Sequence, residues 1–347
     1  KIMDYIRKHQ KAAIGIGFIL VLLIIFFSWQ RKMATSKSVY DELEDLPRGA
    51  EAVRSDFYEQ QLTKKEEEVY QFLKEHLINM EGGILTLPQA IDGKEYQRIV
   101  TALEYDRNPF FYGFVDIPMT GEYEYVLQKE KDILRVTEEK IEKVVLFLSC
   151  AKGIEVSGRF DEEGYLVNAD KIAEELSVND SEKETKIRQT MKETDKILNE
   201  IVAGLPKGAG QKSTADYFLG WLDEHLELAD DTASEAKELK HMGEMLDQIY
   251  PYNHLAALTK GKASILGYAK ILSELFERAG MDSHVVMGSW TSQWSEEMYV
   301  LCAVSIDGQT IYIDASGAKE ASLGGNRWLS EEETLHRMKF ADYYEYE

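Results

Sequence analysis

Cysteine is scarce in this chain, with only Cys150 and Cys302 among 347 residues. Two cysteines build neither a disulfide framework nor a cysteine-rich zinc site, and the sequence leaves open whether they pair with each other. The seven histidines stand singly, and acidic runs such as residues 331–333 lack the ligand spacing of a calcium loop. We therefore expect no metal and no cofactor.

Positive charge is the second shortage. The chain has 40 lysines and arginines against 62 aspartates and glutamates, which gives a net charge of −22. Residues 1–37 hold seven basic residues and one acid, so 33 basic and 61 acidic residues remain in residues 38–347, a net charge of −28. Such a surface repels nucleic acid and anionic lipid, which excludes polyanion binding. The acidity fits either solubility or attraction of a cationic partner.

One long hydrophobic run is present, close to the start. Residues 12–30 contain no charge, and residues 12–29 (AAIGIGFILVLLIIFFSW) are nearly all apolar. This length suits a transmembrane helix, and Trp29 is placed as an interfacial anchor. A cleaved signal peptide is the alternative, but the bulky and charged residues 28–31 do not form a small-residue cleavage site. We predict a retained signal-anchor over residues 12–30.

The remaining sequence has the composition of a folded protein, with 44% hydrophobic residues and 19 tyrosines. Its length leaves room for two domains beyond the membrane segment. We predict a polar connector over residues 31–55 and a boundary at the Pro-Lys-Gly-Ala-Gly segment, residues 206–210. The first region, residues 56–205, contains apolar patterns that predict helices and extended segments. The helices are expected at residues 60–79, 93–105 and 182–205, and the extended or apolar segments at residues 84–87, 110–115, 123–126 and 143–150.

The second region, residues 206–347, has a regular order of predicted elements. A helix is expected at residues 215–228, and Gly267, Tyr268 and Ala269 precede another helix at residues 270–279. Three apolar segments then alternate with turn residues, as expected for strands joined by short connections. The strands are predicted at residues 283–288, 299–304 and 311–316, with a turn at residues 306–308.

This order resembles the core of transglutaminase-like domains, whose fold is papain-like, over roughly residues 205–347. The region before it resembles the module often found ahead of such domains in membrane-anchored bacterial proteins. The resemblance implies an α+β fold: a papain-like transglutaminase core, preceded by a smaller α/β module and one N-terminal transmembrane helix. It also implies that residues 1–11 are a cytoplasmic tail and that the large C-terminal region is extracytoplasmic at the cell membrane. Four basic residues before the span and three after it give the same orientation.

The resemblance assigns the positions of a catalytic triad, and two of the three carry the wrong chemistry. Ile265 occupies the position of the nucleophilic cysteine, Tyr299 that of the histidine, and Asp314 that of the acid. Isoleucine has no lone pair and cannot act as a nucleophile. Tyrosine, with an ordinary pKa near 10, is a poor base at neutral pH. We therefore expect no catalytic residues, and no acyl transfer by the family's mechanism.

A displaced active site is the alternative, with Ser264 or Cys302 as the nucleophile. A shift of one residue at the start of a helix turns a side chain by about 100°, and the apolar neighbours of Cys302 predict a buried, unreactive thiol. His254 and His284 are the nearest histidines in sequence, and neither has the position expected of the family's base.

Three function classes remain. The first is a non-catalytic, membrane-anchored binding or scaffold protein, the second a subunit of a larger membrane complex, and the third an enzyme with a displaced nucleophile. A protein, a peptide or a cell-wall glycan is the expected partner, and the former catalytic cleft is the expected ligand site. The residues predicted to line that cleft are aromatic with one acid: Tyr268, Trp290, Trp294, Tyr299 and Asp314.

Overall fold

The computed structural model of the chain describes twelve stretches of sequence. They are residues 38–53, 56–79, 81, 83–106, 128–130, 133–135, 141–146, 181–229, 255–291, 296–319, 323 and 325–341. The chain divides into two compact units, residues 1–43 and residues 44–347. In the first unit the short helix α1, Val39–Glu42, begins where the Ser38 hydroxyl accepts a hydrogen bond from the backbone N–H of Tyr40. The predicted tail, the predicted span and the first part of the connector lie outside the described residues.

No described helix combines the length and the apolar character that a bilayer crossing requires. The predicted membrane span therefore stays a prediction. Residues 44–347 form the second unit.

Two helices and a strand form the first part of this unit. Helix α2, Lys64–Ile78, begins with a capping box between Thr63 and Glu66. After strand β1, Gly83–Ile91, a second capping box between Asp92 and Glu95 starts helix α3, Gly93–Tyr105. The predicted helices at residues 60–79 and 93–105 therefore form, and the extended run at residues 84–87 lies inside β1.

Strand β1 does not pair with a sequence neighbour. Strands β2, Gln128–Glu130, and β3, Ile133–Arg135, pair with each other. Strand β4, Ile141–Leu146, pairs antiparallel with β1 and places Val145 opposite Ile84. The apolar segment predicted at residues 143–150 overlaps β4, whereas residues 110–115 and 123–126 lie outside the described residues.

Two helices flank the predicted linker. Helix α4, Ser181–Ala203, ends before it and helix α5, Gln211–His225, begins after it. Gly210 forms a bridge with Pro47, and the backbone N–H of Gln211 donates to the carbonyl of Leu46 at 2.7 Å. The linker is thus held in place by a segment more than 150 residues earlier in the chain.

The element that positions the candidate site is helix α6, Ile265–Arg278. It follows the short parallel strands β5, Glu227–Leu228, and β6, Lys262–Ala263, and a 3-10 helix, Leu255–Lys260. It packs against the largest sheet among the described residues, which has five strands. All of the strand pairs in this sheet are antiparallel.

The sheet contains the three predicted strands, each with different bounds. They are β7, Ser283–Thr291; β8, Glu296–Ile306; and β9, Gln309–Ile313. Strand β10, Trp328–Leu329, extends one edge, helix α7, Glu331–Arg337, follows it, and strand β11, Met338–Phe340, pairs with β7 at the other edge. The unit is a mixed α/β structure.

One cluster of buried side chains joins the two predicted domains. It contains Val69 and Leu73 of α2 together with Val286 and Leu301 of the five-stranded sheet. The apolar faces of the first helices are thus buried in the same core as the sheet. Both regions belong to the unit of residues 44–347, and the domain boundary at residues 206–210 stays a prediction.

Candidate functional site

The antiparallel pairing of β8 with β9 brings Tyr299 and Asp314 together. The register places Cys302 opposite Ile313. Asp314, which directly follows β9, therefore lies beside the part of β8 that contains Tyr299. The Tyr299 hydroxyl donates a hydrogen bond to Asp314 Oδ1 at 2.9 Å. Both side chains are buried, with exposed fractions of 2% and 0%. Two of the three predicted triad positions are therefore in direct contact.

The Asp314 carboxylate also accepts hydrogen bonds from three groups of the turn that follows β9. Besides Tyr299, Oδ1 accepts from the Ser316 hydroxyl and the Gly317 backbone N–H, each at 3.0 Å. Oδ2 accepts from the Lys319 backbone N–H at 2.8 Å. A buried carboxylate that accepts from four donors has hydrogen-bond partners in place of water and organises the turn after β9.

The Arg327 guanidinium clamps the backbone of the same turn. Arg327 Nε donates to the Asp314 carbonyl at 3.1 Å, and Nη2 donates to the Ala315 carbonyl at 2.6 Å. Nη1 reaches both carboxylate oxygens of Asp223 on α5, at 2.9 and 2.7 Å. The planar, multiply donating guanidinium suits this arrangement. Arg327 therefore links the turn to α5.

Tyr299 is a hydrogen-bond donor and not a base. Burial raises the pKa of Tyr299 well above its usual value, and the negative charge of Asp314 raises it further. The Lys319 ammonium lies over its ring, 5.1 Å from the centroid, and forms an ion pair with Glu297. A phenol that stays protonated in this way cannot accept a proton from a nucleophile at neutral pH.

Ile265 begins α6, and the preceding residue is committed to capping that helix. The Ser264 hydroxyl is buried and accepts a hydrogen bond from the Gly267 backbone N–H at 3.1 Å. This is the usual role of a serine at an N-cap. Ile265 packs against the buried cluster that also contains Tyr299. The position predicted for the nucleophile thus provides apolar packing.

Cys302 lies in the interior of the sheet. Its neighbours across the strands are Val285 and Ile313, and its side chain is fully buried. Burial raises the pKa of the Cys302 thiol well above its usual value, and the charge of Glu277 adds to this shift. Because the thiolate is the reactive form of cysteine, Cys302 has the environment of an inert structural thiol.

Four of the five side chains predicted to line a cleft are buried: Tyr268, Trp290, Tyr299 and Asp314. Tyr268 is 3% exposed and donates its hydroxyl to the Leu226 carbonyl at 2.8 Å. Its pKa is raised to about 12, by burial first and then by the charge of Asp223. Trp290, also 3% exposed, packs on Tyr299 with a centroid separation of 5.5 Å. Trp294 and His254 lie outside the described residues.

His284 is partly buried, and its ring stacks on Phe57 with a centroid separation of 3.9 Å. Burial lowers the pKa of His284 to about 4, so the imidazole is neutral at physiological pH. It contributes an aromatic surface to the contact between β7 and the segment before α2. Among the described residues, no group of three or more His, Cys, Asp and Glu side chains has the arrangement of a metal site.

Two features of this region were not predicted from the sequence. One is the turn held by Ser316, Lys319 and Arg327, for which Asp-x-Ser-Gly after a strand was the available signal. The other is Lys270, which is fully buried in α6 and pairs with Glu104 of α3 at 3.2 Å. Burial lowers the pKa of Lys270, although Glu104 partly opposes that shift. No periodicity marks such a lysine as buried, since a charged position on an amphipathic helix usually faces solvent.

No family model and no curated protein matches the chain. Two solved structures superpose on parts of it. One is a proposed cysteine protease from Cytophaga hutchinsonii, with 11% identity, a TM-score of 0.27, and coverage of 42% of this chain and 41% of that one. The other is a TGase, with 11% identity, a TM-score of 0.32, and coverage of 68% and 50%. The chain spans half or less of each structure, and both TM-scores are too low for the likeness to support a conclusion about fold or function.

Proposed function

We propose that this chain is a non-catalytic binding or scaffold protein, built on a degenerate transglutaminase-like domain of papain-like fold and anchored in the membrane by residues 12–30. The observation that carries the proposal is the hydrogen bond from Tyr299 to Asp314. In a working triad the acid orients an imidazole that accepts the nucleophile's proton. Here the same acid holds a phenol that stays protonated, next to a helix that begins with Ile265.

The two displaced nucleophiles have environments that oppose catalysis. Ser264 is buried and its hydroxyl caps α6. Cys302 is buried between two strands, and its thiol pKa is raised. A nucleophile needs access to substrate and a base within hydrogen-bond reach. The Ser264 hydroxyl instead accepts from the Gly267 backbone N–H, and the Cys302 thiol contacts the Ala303 carbonyl, which favours a binding role over an enzyme with a relocated site.

The proposed location follows from the sequence. An uncharged, apolar stretch of this length spans a bilayer, and a short basic tail favours a cytoplasmic N-terminus. The acidic region after it would then face outward, where a protein, peptide or cell-wall glycan partner is available. Addition of protease to spheroplasts should remove residues 38–347 while a cytoplasmic marker survives. Complete protection of the large region would contradict the proposed orientation.

The absence of catalysis is tested with the full chain purified in detergent. We expect no incorporation of an amine into a glutamine-containing peptide and no peptide hydrolysis above a protein-free blank. Ser264→Ala and Cys302→Ala provide the matched variants. Turnover by the wild-type chain that either variant abolishes would show a displaced active site and contradict the proposal. Stable co-purification with defined membrane proteins would instead assign the chain as a subunit of a complex.

A further inference from the structure

A cavity of about 370 Å³ lies away from the Tyr299 region, between residues 45–50, the loop at residues 208–210 and the end of α6. Its volume is within the range of small-molecule sites. Its lining is rich in backbone and contains three charged side chains. The charged side chains are Asp45, Arg48 and Arg278, and Gly49, Ala50 and Ala279 also line the cavity.

Two glycines set the shape of this cavity. The Gly49 backbone N–H donates to the Gly280 carbonyl at 3.1 Å. A Cβ on Gly49 would lie 2.6 Å from that same oxygen, and Gly280 has a φ of +79°. Only glycine allows both the close approach and the left-handed conformation. The segment that carries Arg48 is therefore fixed against the end of α6.

Of the two arginines that line the cavity, Arg48 is the one whose guanidinium can bind a ligand. Its Nη1 donates to the Ala279 carbonyl at 3.2 Å, and within the described stretches of the chain no carboxylate forms an ion pair with it. A guanidinium has five N–H donors, so most of its donors remain for a ligand. Arg278, in contrast, already pairs with Glu274 at 2.7 Å and with Asp195 at 2.6 Å.

Asp45 supplies the negative charge of the same cavity. Its Oδ1 accepts from the Ser213 backbone N–H at 3.0 Å, so it caps α5 from a distant part of the chain. Burial acts to raise the pKa of Asp45, but hydrogen bonds from Ser213, Lys212 and Gly210 outweigh it and lower that pKa. An ionised carboxylate in the wall repels a dianion such as phosphate more strongly than it repels a monoanion.

We infer that this cavity binds the α-carboxylate of a free amino acid or of a peptide C-terminus. Arg48 would donate two parallel N–H groups to the ligand carboxylate, which is the strongest geometry available to a guanidinium. Asp45 would accept a hydrogen bond from the ammonium or amide N–H of the same ligand. The site is independent of the proposed loss of catalysis, since it shares no residue with the Tyr299 region.

Ligand-observed saturation-transfer NMR on the full chain in detergent tests this inference with four observed probes: glycine, glycylglycine, N-acetylglycine and glycinamide. Inorganic phosphate, which has no carbon-bound proton to observe, is tested by its competition with the glycine signal. We expect the three carboxylate probes to bind, and glycinamide and phosphate not to bind. Stronger binding of glycine than of glycylglycine would assign the site to free amino acids, and the reverse order would assign it to peptide termini. Binding of phosphate or glycinamide as strong as that of glycine would overturn the inference.

Three variants locate the binding. Arg48→Ala should weaken carboxylate binding by about tenfold or more, because it removes a charge-assisted hydrogen bond. Ala50→Phe should block the cavity without a change of charge, so it tests the site even if Arg48→Ala lowers stability. Arg337→Ala on α7 is the matched control, since it removes one positive charge elsewhere. Unchanged binding in both cavity variants, or equal weakening in the control, would refute the site.

Discussion

Tyr299→Phe is the substitution that tests the role of the candidate site most simply. It removes one oxygen atom and leaves the buried ring, its contact with Trp290 and the position of the Lys319 ammonium. The Asp314 carboxylate then loses one of its four donors and keeps those of Ser316, Gly317 and Lys319. The change therefore removes only the contacts of the Tyr299 hydroxyl, which are the hydrogen bond to Asp314 and a longer contact of 3.4 Å with the Ser316 hydroxyl.

The expected cost is about 2 kcal/mol in the free energy of unfolding. A hydrogen bond to a charged group contributes about 1.5–3 kcal/mol, and the three remaining donors place this case in the lower half of that range. For a unit of this size each kcal/mol corresponds to about 2–4 °C in the unfolding temperature. We accordingly expect Tyr299→Phe to lower Tm by about 4 °C or more.

A double-mutant cycle with Asp314→Asn separates the hydrogen bond from other effects. If the two groups interact as the structure shows, the two single changes should be non-additive by about 1–2 kcal/mol in denaturant unfolding. Tyr217→Phe on α5 is the control, because no described group is hydrogen-bonded to the Tyr217 hydroxyl. This substitution should alter the free energy of unfolding by no more than about 0.5 kcal/mol. Additive single effects, or a Tyr299→Phe cost no larger than the control's, would refute the structural role of the pair.

Three further predictions concern other buried groups. Burial raises the pKa of Asp106 to about 7, above its unfolded value of 3.8, so the free energy of unfolding should fall as pH rises from about 4 to 7. Asp106→Asn should flatten this pH dependence in urea titrations, and an unchanged slope would contradict the prediction. Cys302 should react with a thiol reagent, located by mass spectrometry, only after unfolding, and rapid labelling of the native chain would contradict its burial. Arg327→Lys should lower the free energy of unfolding by about 1–3 kcal/mol, since an ammonium cannot replace the planar guanidinium that reaches Asp223 and two carbonyl oxygens. An unchanged Tm in thermal unfolding would show that these contacts are dispensable.

Local pattern predicted several of the helices and strands that the structure describes. The helix at residues 93–105 has the predicted bounds because Asp92 and Glu95 form a capping box. The strands near Val285, Leu301 and Ile311 formed because each is an apolar segment bounded by turn residues. These signals are carried by neighbouring residues, and so they are visible in the sequence.

Contacts between distant segments could not be predicted in this way. Nothing near Gly210 indicates that Asp45 caps the following helix, because the two are far apart in sequence. The burial of Lys270 depends on α3, which supplies Glu104. The pairing of β11 with β7 depends on the return of the chain across the sheet. Each is a property of tertiary packing.

In the candidate site, too, some features could be predicted from the sequence and others could not. The resemblance placed Tyr299 and Asp314 fifteen residues apart on adjoining strands, and the structure joins them by a hydrogen bond. It did not predict that Tyr268 and Trp290 would be buried, because the cover over an aromatic side chain comes from other parts of the fold. Aromatic composition alone does not distinguish a ligand-binding face from a core.

The proposed function depends on our interpretation of Ile265, Tyr299 and Asp314 as the positions of a lost triad. The most direct measurement is the alkylation rate of the cysteine introduced by Ile265→Cys, compared with and without Tyr299→His, in chains shown to be folded. An imidazolium held by Asp314 lowers the pKa of a neighbouring thiol. We therefore predict that iodoacetamide near pH 6 modifies the double variant about tenfold faster than the single variant or more. Equal rates in the two folded variants would contradict the assignment of these positions.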